Sequence, residues 1–155
     1  MKNELLDPSE VDDDETFLET FREYEASLVE QNALDFDDLL EKTYRLFTER
    51  SDLKEKYQNA HDHILVDEYQ DTNTVQYRLV KLLAENHRNL TVVGDDAQSI
   101  YGFRWSDFRN FLNFERDWPE ARVVVLDENY RSSATIVRAA TAVIEHNKEQ
   151  RKKSL

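Results

Sequence analysis

Three short apolar runs, each ending abruptly in polar residues, constrain this chain more than any other feature. Ile64-Leu65-Val66 closes on Asp67, Leu90-Thr91-Val92-Val93 on Gly94-Asp95, and Val123-Val124-Val125-Leu126 on Asp127-Glu128-Asn129. Runs this apolar suit strands covered on both faces, as in a parallel sheet flanked by helices. Amphipathic stretches separate them, at 74–86 (Val75, Leu79, Leu82, Leu83) and 106–116 (Phe108, Phe111, Leu112). A last helix, capped by Ser133, carries Ile136, Val137, Ala140, Val143 and Ile144. The alternation predicts an α/β fold, and such sheets bind ligands at the carboxyl ends of their strands. All three polar strand ends therefore fall on one edge of one sheet.

Ahead of this region the texture is helical. Phe17, Phe21, Tyr24 and Leu28 recur at helical spacing, and Asp35 can cap a second helix whose buried face would carry Phe36, Leu39, Leu40, Tyr44 and Phe47. The net charge of −13 is concentrated here: residues 1–60 hold 18 acids against 7 bases, whereas residues 61–155 hold 15 against 13. The total therefore does not exclude a nucleic-acid partner for the second part. Without cysteine there are no disulfides or thiolate metal sites. No apolar run approaches the roughly 20 residues of a membrane span, so a soluble, cytoplasmic protein without a membrane partner is expected.

The strand ends carry the chemistry. In a magnesium–nucleotide site, the first carboxylate of Asp67-Glu68 can hold Mg²⁺ through water, and the second can orient or deprotonate the attacking water. In isolation such a pair also commonly caps a strand or starts a helix. The second end, Gly94-Asp95-Asp96-Ala97-Gln98-Ser99-Ile100-Tyr101-Gly102-Phe103-Arg104-Trp105, holds both glycines of the chain. Gln98 can sense a phosphate or position water there. Tyr101, Phe103, Arg104 and Trp105 set aromatics beside a guanidinium, which suits stacking on unpaired bases as well as a packed core or interface. At the third end, Tyr130 and Arg131 of Asn129-Tyr130-Arg131-Ser132 offer a ring and a fixed cation, able to stack on a base and neutralise phosphate charge, or to form an ordinary surface ion pair.

Together, Val66-Asp67-Glu68-Tyr69-Gln70-Asp71-Thr72, Gly94 to Tyr101 and Asn129-Tyr130-Arg131-Ser132 closely resemble three successive motifs of the UvrD/Rep/PcrA family of superfamily 1 DNA helicases. Leu34-Asp35-Phe36-Asp37-Asp38-Leu39-Leu40 also resembles the stretch that precedes the first of these. The resemblance runs from about residue 15 onward, and implies an α/β fold containing part of a RecA-like (P-loop NTPase) parallel sheet, flanked by helices and preceded by a helical segment. It implies Asp67 as the Walker B ligand for Mg²⁺ with Glu68 nearby as the general base, and Gln98 as a γ-phosphate sensor. It further implies Tyr101, Phe103 and Arg104 on the path of single-stranded DNA, Tyr130 stacked on adenine, and Arg131 as an arginine finger. Trp105-Ser106 departs from the small Gly-Ala pair usual in the family.

The phosphate-binding pattern G-x-x-x-x-G-K-[ST] is absent, because the glycines at 94 and 102 are not followed by lysine. The resemblance therefore implies an internal fragment of an ATP-dependent 3′–5′ DNA helicase. Residues 1–60 would end an inserted accessory domain, 61–128 would be part of the first motor domain, and 129–155 the hinge and first helix of the second. ATP and Mg²⁺ would serve the full-length parent, with single-stranded and duplex DNA as partners, and the isolated chain is expected to be inactive. A split enzyme completed by another chain, and a non-catalytic single-strand-binding module, are the alternative readings. An incomplete sheet would also expose an edge prone to self-association.

Overall fold

The computed structural model describes residues 1–100, 102, 106–107 and 109–146. Tyr101, Phe103 and Arg104, the expected DNA contacts, lie outside the described residues, as do Trp105, Phe108 and the basic Arg151-Lys152-Lys153. Two strands, β1 (Ile64–Val66) and β2 (Leu90–Val92), form a parallel pair in the register Ile64–Leu90, Leu65–Thr91 and Val66–Val92. The crossover between them is α5 (Thr74–Ala84), so the expected strand–helix–strand unit is present. Asn73 starts α5 with a reciprocal cap: its side chain accepts from the Gln76 N–H at 2.9 Å, and the Gln76 side chain accepts from the Asn73 N–H at 3.0 Å.

The helices outweigh the sheet. Ahead of β1 stand α1 (Pro8–Val11), α2 (Glu15–Glu30), α3 (Phe36–Glu49) and α4 (Ser51–Gln58); after β2 come α6 (Arg109–Leu112), α7 (Phe114–Asp117) and α8 (Ala134–Ile144). Helices α3 and α4 pack on α5 and on each other. Phe47, Tyr69, Val75, Ala84 and Trp118 make up the buried apolar core. Tyr69 meets the Phe114 ring edge-on at 5.7 Å, and Phe114 stacks on Trp118 at 6.1 Å, which fastens α7 beneath β1 and α5. No described helix is long and apolar enough to cross a membrane.

Two expectations need correction. Val123–Leu126 forms no strand; these side chains are 49–81% exposed, and no described segment pairs with them. A strand needs a neighbour to receive its backbone hydrogen bonds, and β-branched residues alone do not supply one. Helix α3 buries Phe47 and half-buries Leu40 and Tyr44, as its apolar spacing predicts, but its first turn departs from that pattern. Phe36 and Leu39 point outward at 89% and 53% exposure, while Asp38 and Glu41 are buried beside Phe47.

A cation sits where the first turn of α3 departs from its apolar pattern. The Lys2 ammonium lies 2.8 Å from Asp35, 2.8 Å from Asp38 and 2.5 Å from Glu25, tying the turn Lys2–Glu4 to α2 and the start of α3. Asp35 and Asp38 also cap each other's backbone, which fixes the first turn of α3 around the ammonium. Burial pushes the Asp35 carboxyl up, but hydrogen bonds from Lys2, the Asp38 N–H and Tyr24 outweigh it and hold the group down at about 2. That folded value lies below the ordinary one of about 3.9. The stabilisation is therefore complete above about pH 4 and is lost as pH falls toward 2.

Substituting Lys2→Met should lower stability at neutral pH by roughly 1–3 kcal/mol, the scale of hydrogen bonds to charged groups. In urea melts, the gap between the native chain and this variant should narrow as pH falls from 4 to 2. A gap independent of pH would show that the ammonium does not hold these carboxylates.

Candidate functional site

At the end of β1 the backbone turns sharply. Glu68 sits in the left-handed region at φ 49°, ψ 41°, a conformation that costs a non-glycine residue on the order of 1 kcal/mol. The Asp67 carboxylate stabilises the turn by accepting the Glu68 N–H at 2.9 Å. The Tyr69 N–H then donates to the Val93 carbonyl at 2.9 Å, continuing the ladder begun by Val93 N–H to Val66 at 2.8 Å. This turn aims the Asp67 and Glu68 side chains out of the sheet edge, and both residues are exposed.

The loop after β2 reaches the same place. Asp95 starts the short turn Asp96–Gln98, accepting the Ala97 N–H at 3.0 Å on one carboxylate oxygen and the Gln98 side-chain amide at 2.9 Å on the other. The chain then returns to the first motif, where the Asp107 N–H and the Asn110 side chain donate to the Thr72 carbonyl at 3.0 and 3.2 Å. The first two strand ends thus lie side by side, as expected. Tyr130 and Arg131 are not drawn into them. Tyr130 is 89% exposed, its hydroxyl donates to Glu128, and that bond raises its pKa. The Asn129 side chain turns the backbone by accepting the Arg131 and Ser132 N–H groups at 3.0 and 2.9 Å. Among the described residues no hydrogen bond or ion pair joins Tyr130 or Arg131 to Asp67, Glu68 or Gln98.

Gln70 is the residue that reading the sequence passed over. It is 1% exposed. Its amide nitrogen donates to Glu68 at 2.8 Å and faces Asp71 at 3.4 Å, while its oxygen accepts the Asp95 N–H at 3.0 Å. These partners fix which way the amide points, since a carboxylate can only accept and a backbone N–H can only donate. Gly94 makes the room: a Cβ there would lie 2.6 Å from the Gln70 oxygen and 3.0 Å from the Phe111 ring. The presence of a glycine one residue before the acidic loop was the available signal, but close approach explains it better than flexibility does. Burial, then the nearby Glu68 charge, pushes the Asp71 carboxyl above its ordinary range against the pull of the Gln70 hydrogen bond.

The electrostatics favour an oxygen-loving cation that brings its own ligands. Asp67 offers an exposed carboxylate, with one oxygen committed to the Glu68 N–H. Among the described residues, the one cluster with three acidic side chains within mutual reach is Glu25, Asp35 and Asp38, where Lys2 already sits. The sheet edge is thus no all-protein cage. Mg²⁺ is ordinarily held by one or two carboxylates, water and substrate phosphates, and that pattern fits Asp67. A groove of about 570 Å³ lies elsewhere, between Tyr44, Phe47, Tyr77, Lys81, Arg88 and Trp118. At the strand ends Asp67, Glu68 and Gln98 are all exposed.

Comparison with known proteins matches residues 1–119 to the family described as the UvrD/REP helicase N-terminal domain. The whole chain is 47% identical over 161 residues to the ATP-dependent DNA helicase PcrA of Staphylococcus aureus, including strain COL, covering 100% of this chain and 22% of that protein. The PcrA helicase of Staphylococcus epidermidis is 46% identical with the same coverage. The chain thus spans about a fifth of the length of the curated relatives it matches.

Because Gln70 is enclosed and bonded through both ends of its amide, it cannot swing away from a new methyl group. Gly94→Ala should therefore destabilise the chain by roughly 1–3 kcal/mol, the usual cost of overpacking. Urea denaturation at neutral pH measures this, and an unchanged midpoint would mean that the contact relaxes freely.

Proposed function

The chain belongs to the UvrD/REP helicase family, and from that premise we propose that it supplies the hydrolytic edge of an ATP-driven DNA helicase moving 3′ to 5′. The observation that carries the reading is the convergence of Glu68, held in a left-handed turn, with the Gln98 loop at one end of a parallel strand pair. In this reading β1 and β2 are part of a RecA-like sheet. Residues 1–60 end an inserted helical domain, 61–128 belong to the first motor domain, and 129–155 enter the second.

Asp67 would hold Mg²⁺, which when bound neutralises charge on the nucleotide phosphates. Glu68 accepts the proton of the attacking water, and its exposed carboxylate is free to reach that water beyond the sheet edge. Gln98 senses the γ-phosphate through its side-chain amide. Tyr130 stacks on adenine and Arg131 supplies the transition-state cation, roles that their exposure leaves open for a nucleotide. Tyr101, Phe103 and Arg104 contact single-stranded DNA. Such a protein would work where its DNA is, which for a bacterial chain is the cytoplasm.

The cradle for the phosphates is not among these 155 residues. Two outcomes follow. Purified residues 1–155 should show no sustained magnesium-dependent ATP turnover. Grafted in place of the aligned segment of Staphylococcus aureus PcrA, the same residues should support DNA-stimulated turnover, and Glu68→Gln should cut it roughly 10²-fold or more. Turnover by the lone chain would overturn the first expectation; a graft indifferent to Glu68→Gln would overturn the assignment of the base.

A further inference from the structure

Glu68 and Gln98 stand at opposite ends of a continuous line of polar contacts. The Glu68 carboxylate accepts from the Gln70 amide at 2.8 Å; the Gln70 oxygen accepts the Asp95 N–H at 3.0 Å; the Asp95 carboxylate accepts from the Gln98 amide at 2.9 Å. Both outer groups are exposed, Gln70 is buried, and Asp95 is half-buried. We propose that Gln70 is a positioning residue that couples the hydrolytic base Glu68 to the phosphate-sensing Gln98 through the relay Glu68–Gln70–Asp95–Gln98. The proposal rests on the catalytic reading of Glu68 and Gln98 given above and adds the link between them.

The chemistry of the middle position is restrictive. It must donate toward a carboxylate and accept from a backbone N–H on the opposite side, and a primary amide does both through two separate atoms of one planar group. Asparagine is one methylene shorter and would fall short of one partner. Here the buried amide fixes the orientation of an exposed acid on a strained turn. The Gly94 gap has the same logic, because any side chain there would displace the amide oxygen that reads Asp95. A shift of Gln98 on meeting a phosphate would pull on the Asp95 carboxylate, tilt its backbone N–H, and reach Glu68 through a single rigid group.

The test uses the 155-residue chain labelled with ¹⁵N and no nucleotide. Glu68→Gln, an isosteric removal of charge, is made in the native background and in Gln70→Met, which keeps the length and loses both hydrogen bonds. The relay predicts that Glu68→Gln shifts the Asp95 backbone amide and the Gln98 side-chain amide resonances in the native chain, and that both shifts vanish with Met at 70. Equal shifts in the two backgrounds, or none in the native chain, overturn the proposal. Should Gln70→Met fail to fold, Gln98→Ala at the exposed end replaces it. That variant must move the Gln70 side-chain amide and the Glu68 backbone amide, and silence at both overturns the relay.

Within the PcrA graft, Gln70→Met should lower kcat roughly 10- to 100-fold, the scale of a misplaced catalytic group, and leave KM for ATP unchanged. A KM effect with kcat intact also counts against it. If the resonance shifts behave as predicted but Glu68→Gln leaves turnover intact, the catalytic reading fails and the physical link remains. If Glu68→Gln abolishes turnover but the shifts do not depend on Gln70, the relay alone fails.

Discussion

A single buried amide organises the edge of this protein where its two strands end. The parallel pair β1–β2 is only three residues long on each side, and a sheet that small is at best marginal alone. What keeps its two carboxyl ends in register beyond the last ladder bond is Gln70, wedged between Glu68 and Asp95 with its oxygen against Gly94. Leaving such an amide unpaired in the interior would cost on the order of 1–3 kcal/mol, so the two loops are held to the geometry that satisfies it. The strained turn at Glu68 persists because its neighbours specify it from both sides.

Around that edge the helices do the stabilising. Tyr69, immediately before Gln70, packs against Phe114, and Phe114 against Trp118, so the same short turn that carries the acidic residues is anchored from below by an aromatic stack. Trp118 in turn lies 4.6 Å beneath the Arg88 guanidinium, which closes the far end of the crossover. The N-terminal turn reaches the same block through Asn3, whose side chain accepts from Asn73 at 3.0 Å at the start of α5. Polar and aromatic contacts thus converge on the segment 69–75, although the acidic residues it supports face outward.

Much of this was legible in the sequence. The apolar runs at 64–66 and 90–93 identified the two strands, and the spacing of Val75, Leu79 and Leu82 identified the helix between them, because short-range periodicity decides those elements. The Asp67–Glu68 and Gln98 loops were legible as neighbours because a crossover returns parallel strands to one edge. Gln70 was not legible, since its importance lies in a contact 25 residues away that no local pattern encodes. The first turn of α3 was misjudged for a related reason: Lys2 reaches across 36 residues to the buried Asp38, and Phe36 and Leu39 are left outside. Asp35, on the same turn, and Glu25, from α2, complete that cluster.

The contrast between 64–93 and 123–131 follows from the same physics. In the first stretch each strand has a neighbour, and the pairing carries the side chains at its end into a fixed arrangement. In the second, Val123–Leu126 has the composition of a buried strand but no described segment to pair with, and its side chains remain largely exposed. Register comes from pairing and from a covered face, so an unpaired run does not specify where the residues that follow it stand. Asn129 still forms its local turn, because that requires only the two N–H groups beside it. Tyr130 and Arg131 therefore have a defined local backbone, while their placement against Glu68 depends on whatever strand and covering face Val123–Leu126 acquires. The proposed base and sensor are preorganised by contacts within this chain; the ring and cation proposed to meet the nucleotide are not.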